Sequence, residues 1–146
     1  MGNKSIFISG GAAGIGREVA LKFHNAGWTV GAYDIDEEGL GKLAAEAPGI
    51  ITGKLDVTDF ANWEEALADF TSHTNGKLDV LDNNAGIIGD FDIAEQPAGL
   101  IAKQIEVNCT GITLGAKAAY PYLKATKGAH MLSMGSASGI YGQPHI

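Results

Sequence analysis

Ser9-Gly10-Gly11-Ala12-Ala13-Gly14-Ile15-Gly16 follows a short apolar run, Lys4 to Ser9 with Ile6, Phe7 and Ile8 at its centre, and opens a segment with helical spacing of apolar residues. A glycine-rich corner between a strand and a helix is the context that phosphate binding requires. Gly10 permits the tight turn, Gly14 lets backbone approach a pyrophosphate, and Gly16 lets the helix pack close to the sheet. The free N–H groups and positive dipole end of the helix N-terminus then face the anion. An ordinary strand-to-helix corner can carry the same glycines, so the surrounding sequence decides.

Outward from this corner, short β-branched runs alternate with helical stretches, the signature of a parallel sheet with crossover helices. The first helix is expected over Gly14 to Ala26, burying Ile15, Val19, Ala20 and Phe23, with Gly27 ending it. A strand at Thr29 to Tyr33 leads into a helix from Glu37, N-capped by Asp36, with Leu40, Leu43 and Ala44 as its apolar stripe. Strand Ile51 to Leu55 precedes a helix over Ala61 to Ser72, capped by Asp59 and burying Trp63, Leu67 and Phe70. Strand Leu78 to Asp82, a long helix from Gly99 to Leu123 and strand Ala129 to Met134 complete the pattern. Right-handed crossovers turn this order into an α/β fold, a doubly wound Rossmann-type parallel sheet ordered 3-2-1-4-5, with residues 1–146 as one dinucleotide-binding domain. Its ligand crevice is expected between Ser9 to Gly16 on one side and Asn83 to Gly86 on the other.

Asp34 ends the second strand 18 residues after Gly16, close to the spacing of an acidic residue that bonds the ribose hydroxyls of a dinucleotide. A carboxylate there repels a 2′-phosphate, and neither Ala13 nor Ile35 offsets it, so the cofactor expected is NAD rather than NADP. Asp34 could instead cap the second helix, but Asp36 is better placed to do so.

These residues resemble the short-chain dehydrogenase/reductase family. Its Thr-Gly-x-x-x-Gly-x-Gly motif stands here with Ser9 in place of Thr, which keeps the hydroxyl. The family's Asp-Val after the third strand is Asp56-Val57, and its Asn-Asn-Ala-Gly is Asn83-Asn84-Ala85-Gly86. The resemblance implies that Asp56 bonds the adenine amine and that Gly10, Gly14, Ile15, Gly16, Asp34, Val57, Asn84, Ala85 and Gly86 complete the cofactor site. It also implies hydride transfer between nicotinamide and a secondary alcohol or carbonyl compound. Asn108 matches the family's helical Asn, whose carbonyl holds a water in a proton relay, although an Asn bonding a neighbouring loop would look the same. Ser136 stands in register with Gly139 and Pro144 and is the serine expected to bond the substrate oxygen, with a simple turn serine as the alternative. Cys109 is expected to be a small core residue rather than a nucleophile. Asp82 departs from the family, which has an apolar residue there. A carboxylate in a strand buried on both faces either finds a partner at the strand end or weakens the sheet.

The family's Tyr follows its Ser by thirteen residues, with a Lys four further on, which here would be positions 149 and 153, past Ile146. The 146-residue chain is therefore expected to bind cofactor weakly or not at all and not to turn over. A non-catalytic NAD sensor or partner-binding module is the alternative, and a truncated product would leave Ile101, Ile105, Ile112 and Leu114 partly uncovered. Family members associate through their fourth and fifth helices, so homo-oligomers are expected of a full-length protein rather than of this chain.

A net charge of −7 with 10 scattered basic residues argues against nucleic acid as a partner. The single cysteine permits no intrachain disulfide, and four dispersed histidines offer no metal-ligand spacing. With no signal-like N-terminal segment and no apolar run near the ~20 residues of a membrane span, the cytoplasm is the expected location.

Overall fold

The computed structural model describes residues 4–89 and 92–142. Strands β1 (Ser5–Ser9), β2 (Thr29–Asp34), β3 (Ile51–Lys54), β4 (Val80–Asn83) and β5 (His130–Ser133) form one parallel sheet in the order β3-β2-β1-β4-β5. This is the order expected, with the reversal of direction between β1 and β4.

Alternation along β1 sends its side chains to two separate cores. Phe7 joins Tyr33, Trp63, Leu67, Phe70 and Leu81 beneath α3 (Phe60–Ser72), while Ile6 and Ile8 join Val30, Leu40 and Leu43 beneath α1 (Gly14–Asn25) and α2 (Glu37–Glu46). Phe7 stacks on Tyr33 at 4.5 Å between ring centroids, and the Trp63 indole N–H donates to the Val57 carbonyl at 2.9 Å. The Trp63 bond anchors the segment after β3 that carries Asp56 and Val57. Both helix caps are where the sequence puts them. Asp36 accepts from the Gly39 N–H, and Asp59 from the N–H groups of Ala61 and Asn62.

Two expectations about helices need correction. Ile15 does not join the buried face of α1 but is 62% exposed. Gly16 is the buried residue of that first turn, because any side chain there would collide with the Gly10 carbonyl oxygen. The long helix is likewise not uniformly α. It runs as α4 (Ala98–Ile105), a π-helical turn (Glu106–Gly111) and α5 (Ile112–Ala125). Cys109 lies within the π turn and is exposed, so it is not the core residue expected. The same turn brings Gly111 against Val57 and buries Val107 in the Phe7 core.

All four residues of β5 are exposed, with Met131 51% and Leu132 53% accessible on opposite faces of the strand. On the long helix Ile101 and Ile105 are exposed, whereas Ile112 is half-buried and Leu114 packs onto the core. No helix among the described residues is long and apolar enough to cross a membrane.

Candidate functional site

Beyond the carboxyl ends of β1, β2, β3 and β4 lies a cleft of about 480 Å³. Gly10, Gly14 and Ile15 line it from the first turn, Asp34 from β2, Asp56 and Val57 from the segment after β3, and Asn84, Ala85 and Gly86 from the β4 loop. Nine of the ten residues expected to contact cofactor thus meet in one place. The tenth, Gly16, lies behind the turn and sets its closeness to the sheet.

Hydrogen bonds fix the turn from two sides. The N–H groups of Gly10 and Gly11 both donate to the Tyr33 carbonyl, at 2.8 and 3.2 Å. From the other side the Asn84 amide donates to the carbonyls of Ser9 and Gly10, at 3.2 and 3.1 Å, and the Ser9 hydroxyl accepts from the Ala85 N–H at 3.3 Å. The Asn-Asn-Ala-Gly segment therefore works here as a clamp on the glycine turn. Helix α1 begins without a side-chain cap, and its first backbone bond back to the cap runs from the Arg17 N–H to the Ala13 carbonyl. The N–H groups of that first turn are left to an external acceptor.

Asp34 is held by its surroundings. One carboxylate oxygen accepts from the Ala12 N–H at 3.1 Å and the other from the Asp36 N–H at 3.0 Å. The capping role belongs to Asp36, which leaves the remaining lone pairs of Asp34 facing the cleft. Across the cleft Asp56 accepts from the Thr58 hydroxyl at 2.7 Å and the Thr58 N–H at 2.9 Å. Those bonds, more than the positive charge of Lys103, hold the Asp56 carboxyl below its ordinary range.

The site fits a dinucleotide on these observations. Gly14 has φ +53° and open space where a Cβ would point, so that its backbone is bare toward the cleft. An anion-seeking helix terminus and an oriented carboxylate stand on either side of it.

The side chain of Asn108 is engaged by the β4 loop. Its amide donates to the Ile87 carbonyl at 2.7 Å and its oxygen accepts from the Ile87 N–H at 2.8 Å. The side chain thus bonds a neighbouring loop, the alternative that the sequence left open. Asn108→Ala orphans two backbone groups of Ile87 and should lower stability by about 1–2 kcal/mol. Amide exchange at Ile87 should quicken as a result, which hydrogen-exchange mass spectrometry would detect.

Ser136 is not in the cleft lining. It is exposed and caps the turn Ala137–Gly139, accepting from the Ser138 N–H at 3.2 Å, two residues past Met134, which does line the cleft. Pro144 lies outside the described residues. Several lining residues were not foreseen, namely Ile35, Leu55, Ile87, Lys103, Val107 and Met134. Lys103 and Val107 had a legible signal, one helical turn apart on the element that carries Asn108. A Tyr-x-x-x-Lys spacing does occur at Tyr120 and Lys124, but it lies on the last turns of α5, and Lys124 sits 5.8 Å over the Tyr120 ring. Helix α5 runs toward the start of β5, so this pair stands at the opposite end of the sheet from the cleft.

Asp82 lies inside β4, paired in register with Ile8 and Leu132, and is 1% exposed. Neither carboxylate oxygen has a hydrogen-bond partner among the described residues. Burial pushes its pKa up from the usual carboxylate value.

The family model for short chain dehydrogenase matches residues 4–146. The chain belongs to the short-chain dehydrogenase family. It is 34% identical over 146 residues to the 3-oxoacyl-[acyl-carrier-protein] reductase FabG of Thermotoga maritima, covering 97% of this chain and 58% of that protein. It is 31% identical to 3beta-hydroxysteroid dehydrogenase 2 of Eggerthella lenta, covering 96% of this chain and 56% of the relative. Among solved structures, a short-chain dehydrogenase/reductase from Burkholderia phymatum in complex with NAD superposes with TM-score 0.88 at 28% identity, covering 99% of this chain and 53% of that one. The chain spans somewhat over half the length of these short-chain dehydrogenases. Within that span its sheet order is the family's Rossmann fold.

Proposed function

We propose that this chain forms the NAD-binding part of an oxidoreductase that interconverts a secondary alcohol and a carbonyl compound. The observation that carries the reading is Asp34, its carboxylate fixed by the Ala12 and Asp36 N–H groups next to an uncapped helix N-terminus. In this reading the first turn of α1 holds the pyrophosphate, Asp34 accepts from the ribose hydroxyls, and Asp56 accepts from the adenine amine. A 2′-phosphate would meet the Asp34 charge, which favours NAD over NADP. Nicotinamide, when bound, supplies a two-electron hydride acceptor or donor. Ala85, Gly86 and Ile87 bring the β4 loop to the cleft wall, and Asn108 holds that loop at Ile87. Ser136 would donate to the substrate oxygen. The relatives are named for a 3-oxoacyl carrier and a 3β-hydroxysteroid, two unlike substrates, so no class finer than alcohol or carbonyl is assigned.

The second reading is a cofactor-binding module without catalysis. A panel of secondary alcohols and ketones, followed by nicotinamide absorbance, separates the two. Because nine of the ten residues expected to contact cofactor line one cleft, saturable NADH binding without turnover is the result we expect, in place of the weak or absent binding expected from the sequence alone. Steady turnover by the 146-residue polypeptide overturns that expectation and the second reading with it. Absence of any NADH binding overturns both.

A further inference from the structure

Three successive N–H groups of the glycine turn rest on two successive residues of β2. Those of Gly10 and Gly11 donate to the Tyr33 carbonyl, and that of Ala12 donates to the Asp34 carboxylate. The seat of the turn is therefore the end of β2. On its β3 side, Tyr33 and Asp34 lie opposite Gly53 and Lys54, one without a side chain and the other exposed, so β3 supplies backbone pairing there but no apolar packing. The Tyr33 side chain reaches further. It is 1% exposed, stacks on Phe7 and lies over Gly53, where a Cβ would come within 2.4 Å of the ring. Its hydroxyl donates to the Asp69 carboxylate of α3 at 2.5 Å. Burial, then the bond to Asp69 and the charge of Asp69, push the pKa of the hydroxyl up, so it stays a donor.

We propose that Tyr33 is a positioning residue of the cleft, its bond to Asp69 fixing the end of β2 and with it both acceptors on which the glycine turn rests. This deepens the reading of the cleft as a dinucleotide site and rests on it. Apolar attraction has no preferred direction, whereas a hydrogen bond does. The Phe7 and Gly53 contacts therefore bury the ring, and the Asp69 bond sets where it stops. From there the constraint passes through one residue, because the carbonyl of Tyr33 carries Gly10 and Gly11 and its neighbour Asp34 carries Ala12.

The test is NADH fluorescence titration of the 146-residue chain and of Tyr33→Phe, Asp69→Ala, Asp69→Asn and the double variant Tyr33→Phe/Asp69→Ala. Phe keeps the stacked ring and Asp69 is exposed, so these changes spare the core. Tyr33→Phe and Asp69→Ala should each weaken NADH by about two- to tenfold, the range one hydrogen bond supplies, and the double variant by no more than either. Asp69→Asn keeps an acceptor and should bind nearly as the unmodified chain does. Amide exchange at Gly10 and Gly11, followed by NMR without ligand, should quicken in Tyr33→Phe and Asp69→Ala and not in Asp69→Asn. Unchanged NADH affinity in both single variants overturns the proposal even if their melting temperatures fall, since the bond would then be structural only. Additive losses in the double variant overturn it as well. If the unmodified chain binds no NADH, the dinucleotide reading fails, and exchange at Gly10 and Gly11 alone then decides whether Tyr33 positions the turn.

Discussion

Asp82→Val should make the chain more stable by about 1–3 kcal/mol at neutral pH, the usual penalty of a buried polar group left without partners. The carboxylate sits between Ile8 and Leu132 in the sheet, on the face that also carries Val80, and neither oxygen is paired among the described residues. The apolar residue that the family resemblance suggests for this position would remove that penalty. The pH dependence gives a second, independent readout. Burial raises the pKa of Asp82 in the folded state above its value in the unfolded chain, so the folded state binds the proton more tightly. Its contribution is fully present below the unfolded carboxylate pKa and is lost as pH rises through the folded one. Wild type and Asp82→Val should therefore be closest in stability near pH 4 and diverge as pH rises, by urea unfolding at each pH. A gap that is constant across this range would mean that Asp82 finds a partner.

The second large effect is expected at Asp34. On the proposed reading, Asp34→Ala removes the acceptor for the ribose hydroxyls and the charge that opposes a 2′-phosphate, while Asp36 keeps the cap of α2. NADH affinity should fall by about ten- to a hundredfold, the range for hydrogen bonds to a charged group. NADPH affinity should rise at the same time. Opposite movement of the two coenzymes distinguishes loss of recognition from general loosening of the turn, which would weaken both. Thermal unfolding of the variant without ligand checks that the Ala12 and Asp36 N–H groups, freed of their acceptor, find water instead.

Much of this arrangement was legible from residue types at fixed spacings. The corner from Ser9 to Gly16 and Asp34 at the end of β2 are short-range patterns whose geometry follows from a strand meeting a helix, whereas the Asn84 clamp joins segments 74 and 75 residues apart. The caps at Asp36 and Asp59 belong to the short-range class. What was not legible depends on tertiary approach. Ile15 has the spacing of a buried helical residue, but its turn is pulled toward the sheet by Gly16, and Ile15 ends at the mouth of the cleft. The π turn at Glu106–Gly111 arises where Gly111 packs on Val57 and Asn108 grips Ile87, contacts between segments far apart in sequence. Cys109 lies in that same turn and is exposed. Lys103 looks like any surface lysine on an amphipathic helix until β3 and α4 are seen to share one cleft. Asp82 was recognised as a departure, and only the packed sheet shows that it has no partner among the described residues.

The central claim is that the cleft between β1 and β4 recognises NAD through Asp34. Its most direct test is a parallel titration of the 146-residue chain with NADH and NADPH by nicotinamide fluorescence. Saturable NADH binding is expected, with NADPH weaker by about tenfold or more as one unfavourable charge contact implies. NADPH binding as tight as NADH, or no binding of either, would contradict it.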